Sequence, residues 1–129
     1  MTSLRIQRQR IKGWHLPENT ICVTRPGKWG NPFYLDGDMI MVNAGYRRKI
    51  FSPWVLVSDK PGGETIYDVL DLFEEVCLIG GKFDHPDLQY WADFWAKLDL
   101  SELRGHNLAC WCRDDDKCHA SLLMRYANK

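Results

Sequence analysis

The chain is 129 residues long and carries 17 Lys/Arg against 17 Asp/Glu, a formal net charge of zero. That length fits one domain, residues 1–129, with room for a sizeable core. The start, Met1-Thr2-Ser3-Leu4-Arg5, lacks a secretory apolar run, no stretch is long enough to span a bilayer, and five cysteines are poor arithmetic for a disulfide framework, which together point to a cytoplasmic protein with no membrane partner.

The even total hides a division. Residues 1–49 hold nine Lys/Arg against three Asp/Glu, and residues 50–100 hold three against ten. A polyanion would favour the first part, around Arg5, Arg8, Arg10 and Lys12. Acidic helices and a basic edge that neutralise each other within one domain would account for the same split.

In chain order, residues 1–13 are basic and weakly patterned, and read as an edge strand or an arm. Thr20-Ile21-Cys22-Val23-Thr24 is short and β-branched, a strand that runs into a loop at Arg25-Pro26. Phe33-Tyr34-Leu35 and Met39-Ile40-Met41-Val42 flank Asp36-Gly37-Asp38 as a hairpin. Asn43 is placed to cap a short helix through Tyr46, Ile50 and Phe51 that stops near Pro53, and residues 58–63 are a loop by composition.

From Glu64, a helical stripe of Ile66, Val69, Leu70, Phe73, Val76 and Cys77 ends at Gly80-Gly81. Asp84 is the expected N-cap of the next helix, with Pro86 in its first turn and Leu88, Trp91, Ala92, Trp95 and Leu98 facing inward. Asn107-Leu108-Ala109-Cys110-Trp111-Cys112 reads as a strand that sends Cys110 and Cys112 to one face and Trp111 to the other. Asp114-Asp115-Asp116 form a turn, and Asp116 caps a last helix with His119, Leu122, Leu123 and Tyr126 along one side. Strand, helical region, strand and helix in this order predict an α/β fold: a small single-domain sandwich with a central, mostly parallel sheet of Rossmann-like type, plus a hairpin and flanking helices. Cys22, Cys77 and most of the six tryptophans are assigned to the core.

Two loops carry the chemistry, each directly after a strand, and parallel pairing of those strands would open both at one carboxyl edge, where α/β sheets hold ligands. In the first, Gly27 and Gly30 allow close backbone approach, the amides of Gly27, Lys28, Trp29 and Gly30 can form an anion nest, and Arg25 and Lys28 supply charge. Trp29 is suited to stack on a base and Asn31 to hydrogen-bond a sugar or base edge; the alternative is a tight connection with Trp29 as a core plug. The loop is neither a P-loop nor a dinucleotide fingerprint.

In the second loop, Cys118 falls in the first turn of the last helix, where a thiolate is favoured, with Lys117 and Arg113 assisting and the three aspartates opposing. Cys118 and His119 could supply a nucleophile and a base, although helical neighbours diverge by about 100°, so His119 could instead work with Cys112 or Cys110. Zinc competes for Cys110, Cys112, Cys118 and His119, but Cys-x-Cys-x5-Cys-His is not a common structural spacing and no metal is assigned. Cysteines packed as small hydrophobes and a histidine that braces the turn would explain the same residues.

The stretches Val23-Thr24-Arg25-Pro26-Gly27-Lys28-Trp29-Gly30-Asn31-Pro32-Phe33, Leu103-Arg104-Gly105, Leu108-Ala109-Cys110-Trp111-Cys112 and Cys118-His119 resemble the family catalogued as domain of unknown function 4326, common in bacteriophages and bacteria. Members of that family usually carry Pro within the second loop and Gly after the histidine, where this chain has Asp114-Asp115-Asp116 and Ala120. The resemblance implies a small intracellular α/β protein, in the host cytoplasm if phage-encoded, with a nucleotide-related role and no stated reaction or cofactor.

The expectation is a nucleotide-binding domain whose ligand is a nucleotide or other phosphorylated small molecule. It could act as a small enzyme on a nucleotide, nucleoside or nucleic-acid base, with Cys112, Cys118 and His119 for chemistry and Arg25, Gly27, Lys28, Trp29, Gly30 and Asn31 for binding. The alternatives are a non-catalytic binder that sequesters a nucleotide signal or a host protein, and a nucleic-acid-binding module that uses the basic N-terminal segment.

Overall fold

A computed structural model of the chain describes residues 5–24, 27–47, 54–110 and 118–129. The described strands are β1 (Arg5–Gln7), β2 (Thr20–Cys22), β3 (Phe33–Asp36), β4 (Met39–Asn43), β5 (Trp54–Ser58) and β6 (Asn107–Cys110). The α-helices are α1 (Ile66–Phe73), α2 (Pro86–Ala96) and α3 (His119–Ala127). The chain divides into two compact units, one made of Met1–Asn31 with Asp99–Lys129 and the other of Pro32–Leu98.

The first unit is built on a parallel sheet in the order β1-β6-β2, so the latest strand in sequence lies between the two earliest. Residues 1–13 thus do supply an edge strand. Ile6 and Cys22 both lie beside Ala109, while Arg5 and Ile21 both lie beside Leu108. Neighbours in register share a face, so Ile6, Ala109 and Cys22 occupy one face and Arg5, Leu108 and Ile21 the other. Leu108, Ala109 and Cys110 are all buried, as a central strand requires. At the far end of α3, Arg104 Nε donates to Ala127 O at 2.8 Å, which places a cation on the helix C-terminus.

The second unit is an antiparallel sheet in the order β3-β4-β5 with α1 and α2. The hairpin forms as expected, with Gly37 at φ +64 in its turn, where an L side chain is strained. Its second strand, β4, pairs with β5, Trp54-Val55-Leu56-Val57-Ser58, which the sequence reading missed. Two separate three-stranded sheets therefore stand in place of one central sheet, while the α/β class and the parallel trio are as expected.

Asn43 Oδ1 accepts from Gly45 N at 2.7 Å and starts a single 3-10 turn, Gly45–Arg47; the rest of the helix expected there, residues 48–53, lies outside the described residues. Thr65 caps α1 in a reciprocal capping box with Asp68. The helix then widens into a π turn, Glu74–Ile79, before Gly80 ends it at φ +79 with its N–H on Glu75 O. The cap of α2 is His85 rather than Asp84: His85 Nδ1 accepts from Asp87 N at 3.2 Å. That choice buries the Asp87 carboxylate completely, and it accepts from the Tyr46 hydroxyl. Phe73 and Trp95 meet edge to face at 5.3 Å in a core with Phe33, Val42, Val69 and Val76. Among the described residues, no helix is long and apolar enough to cross a membrane.

Candidate functional site

β2 and β6 are parallel neighbours, so the chain leaves both at the same carboxyl edge. Val23 N donates to Ala109 O at 2.9 Å and Arg8 N to Cys110 O at 2.6 Å, so both outer strands are tied to β6 at that edge. The segment that follows β2 is two tight turns in series: Gly27 N donates to Thr24 O at 3.0 Å and Gly30 N to Gly27 O at 2.9 Å. A Cβ at Gly27 would lie 3.2 Å from Thr24 O, closer than ordinary contact, which is why glycine fits there.

Those turns use two of the four amides expected to form an anion nest, because the Gly27 and Gly30 N–H groups are turned into the loop itself. Lys28 remains half-exposed, with Nζ 3.6 Å from Glu102 Oε1 and 5.1 Å from the Trp29 ring centroid. Trp29 is only 5 % exposed, so its indole is a core plug here and not an open stacking face. An indole of that area gains more from burial than from a half-wet platform. Asn31 is half-buried, and Arg25 lies outside the described residues.

Of the second loop, residues 111–117 lie outside the described residues, and with them Cys112 and the expected Asp116 cap. The observed N-cap is Cys118, at φ −148 and ψ 145, and it makes no side-chain capping bond. This extended geometry frees the pair from the angular spacing of helical neighbours. Cys118 Sγ consequently lies 3.7 Å from His119 Nδ1. The other ring nitrogen, Nε2, lies 2.9 Å from Val23 O and 3.2 Å from Trp29 O. A carbonyl oxygen only accepts, so Nε2 carries a proton, and Nδ1 is the ring atom that faces the thiol. Cys118 is 4 % exposed and His119 9 %. His119 therefore fastens the first loop to the start of α3.

Around this buried pair, Arg5 Nη1 lies 3.9 Å from Cys110 Sγ. Burial works against the Arg5 charge, but the sulfurs of Cys110 and Cys118 outweigh it and hold the guanidinium proton more tightly than usual. On the opposite face, Arg8 Nη1 donates to Thr24 Oγ1 at 3.0 Å and lies 3.3 Å from Cys22 Sγ, while Cys22 Sγ and Thr24 Oγ1 are 2.9 Å apart. Cys22 is only partly buried, against its assignment to the core. Cys77 is buried as assigned, and burial pushes its thiol well above the usual range. Arg5 and Arg8 of the basic N-terminal patch thus make contacts inside the unit, and Arg10 and Lys12 are exposed.

The Arg8–Cys22–Thr24 group escaped the sequence reading, although signals for it were present. Cys22 and Thr24 alternate along one strand face, and Ala109 is the small residue between them and β1. Among the described residues, no group of three or more His, Cys, Asp or Glu side chains is arranged to hold a metal ion.

One family model, domain of unknown function (DUF4326), matches residues 6–129 and so spans both compact units. No curated protein and no solved structure matches the chain at a significant level.

Proposed function

The chain belongs to the DUF4326 family, and we propose that it binds a nucleotide or a related phosphorylated small molecule at the carboxyl edge of its parallel sheet. The observation that carries this reading is the pairing of β2 with β6, joined beyond their ends by His119 on Val23 O and Trp29 O. In open α/β sheets ligands are ordinarily held at the carboxyl edge of the strands, and the trio is taken as a small Rossmann-like ligand edge of a single α/β domain. Lys28 and Arg25 are assigned to the phosphate, and Asn31 to the sugar or base. The Cys118–His119 pair, with Cys112, is the place for chemistry if the ligand is turned over. The working compartment is a reducing cytoplasm, that of the host if the protein is phage-encoded.

A panel of nucleotides tested by thermal shift is expected to stabilise the protein. A ligand at 100 times its Kd should add about 2.7 kcal/mol. Lys28→Ala should weaken binding in calorimetry without lowering Tm, because its partner Glu102 is solvent-exposed. No stabilisation by any nucleotide would overturn the reading.

The non-catalytic binder is the second reading, and it has its own support. His119 Nε2 donates to two backbone carbonyls, so the ring already serves as a brace. Incubation of the protein with its ligand separates the two: an enzyme converts it, and a binder returns it chemically intact. A nucleic-acid module would instead show affinity that falls steeply with salt.

A further inference from the structure

We propose that Arg8, Thr24 and Cys22 form an oxyanion-recognition site at the carboxyl edge of the parallel sheet, on the Ala109 face, with Cys22 as its accessible thiol. The site deepens the nucleotide-binding reading by naming a phosphate contact made by residues outside both loops' candidate sets.

The geometry starts from the central strand. Arg8 follows β1 and Thr24 follows β2, and each lies two residues beyond a neighbour of Ala109, Ile6 on one side and Cys22 on the other. Alternation puts all of these on one face. The Arg8 side chain crosses the end of β6 to reach Thr24 Oγ1 at 3.0 Å and Cys22 Sγ at 3.3 Å. Ala109, the smallest side chain of β6 and fully buried, leaves room for that crossing.

A half-buried guanidinium is thereby fixed in place by a hydroxyl and a thiol at the sheet edge that ordinarily receives ligands. Guanidinium is the side chain whose planar donors match a phosphate. The Thr24 hydroxyl can turn its proton from the Cys22 sulfur to an incoming oxygen, so a tetrahedral oxyanion would receive donors from strand ends on both sides of β6. Cys110, Cys118 and Cys77 are buried, which makes Cys22 the natural reporter among the described cysteines.

Alkylation of Cys22 in the intact protein tests the site. The Cys22 sulfur attacks the methylene carbon of iodoacetate, the C–I bond breaks, iodide leaves and the thiol proton passes to solvent. Peptide mass spectrometry assigns the adduct to Cys22 and separates it from Cys112. Pyrophosphate should slow this reaction several-fold in a saturable way. Its apparent affinity should fall about tenfold or more in Arg8→Gln, the scale of one lost charge-assisted contact.

Thr24→Val should weaken protection less, and it keeps the test valid if Arg8→Gln misfolds by circular dichroism. Pyrophosphate without effect on wild-type Cys22, or equal protection in wild type and both variants, overturns the site. Protection by pyrophosphate while no nucleotide binds in calorimetry would leave this site standing and remove the nucleotide reading. Nucleotide binding unaffected by Arg8→Gln or Thr24→Val, with no pyrophosphate protection, would do the reverse.

Discussion

The two units of this chain are held together by different chemistry. In residues 32–98 the interior is rings and branched aliphatics, with Phe73 against Trp95, Val42 and Val69 fully covered, and two buried acids, Asp87 accepting from Tyr46 and Glu64 from Ser58. In the parallel-sheet unit the interior is interrupted by sulfur, imidazole and guanidinium groups: Cys110 beside Arg5, Cys118 beside His119, Cys22 beside Arg8. Apolar packing resists change without specifying a reaction. Polar groups gathered at a strand edge lower the net gain from burial and are retained where they position something. On that comparison, apolar packing dominates the antiparallel unit, and the proposed recognition groups all lie in the parallel one.

The largest expected effect tests the first half of this contrast. Phe73→Ala removes a fully buried ring and its edge-to-face partner contact, and should cost about 3–5 kcal/mol in chemical denaturation. A loss below 1 kcal/mol would show that the aromatic core is not where the second unit draws its stability.

An intermediate effect tests the second half. His119→Ala leaves two buried carbonyls without their donor and should cost about 1–3 kcal/mol, with faster amide exchange at Gly27 and Gly30 as the loop loosens. Unchanged exchange at those two amides would mean that the imidazole does not hold the loop.

The smallest effect concerns pH. Lys60, followed by the Thr65 backbone N–H, holds the Asp68 carboxyl at about 2, below its ordinary 3.8. A depressed carboxyl contributes its stability above pH 3.8 and loses it as pH falls toward 2. Asp68→Asn should flatten the stability profile across that window. An unaltered slope would remove Asp68 from the acid response of α1.

Much of the frame was legible in the sequence because short-range rules decide it. β-Branched content marked Thr20–Thr24 and alternation marked Asn107–Cys112, where strands form over Thr20–Cys22 and Asn107–Cys110, a 3.6-residue stripe marked α1, and Pro86 with its flanking polar residues marked the start of α2. What stayed hidden depends on tertiary neighbours. Trp54–Ser58 is a continuous apolar run without the polar alternation of a half-buried strand, and it becomes β5 by pairing with β4. Trp29 reads equally well as platform or plug until its burial is known. Asp84 reads as the N-cap of α2, but His85 takes that place because its Nδ1 accepts the Asp87 amide. The Arg8 crossing over Ala109 joins three segments distant in sequence, so no local window contains it.

The position of β6 between β1 and β2 also bears on how the chain comes off the ribosome. The antiparallel unit is one uninterrupted stretch of sequence and can pair its strands as they emerge. The parallel sheet waits for β6, which follows every strand of the antiparallel sheet, and until then β1 and β2 have exposed edges and no partner between them. The carboxyl edge of that sheet therefore forms after the antiparallel sheet, and termination before residue 107 abolishes that edge while sparing every strand of the other sheet.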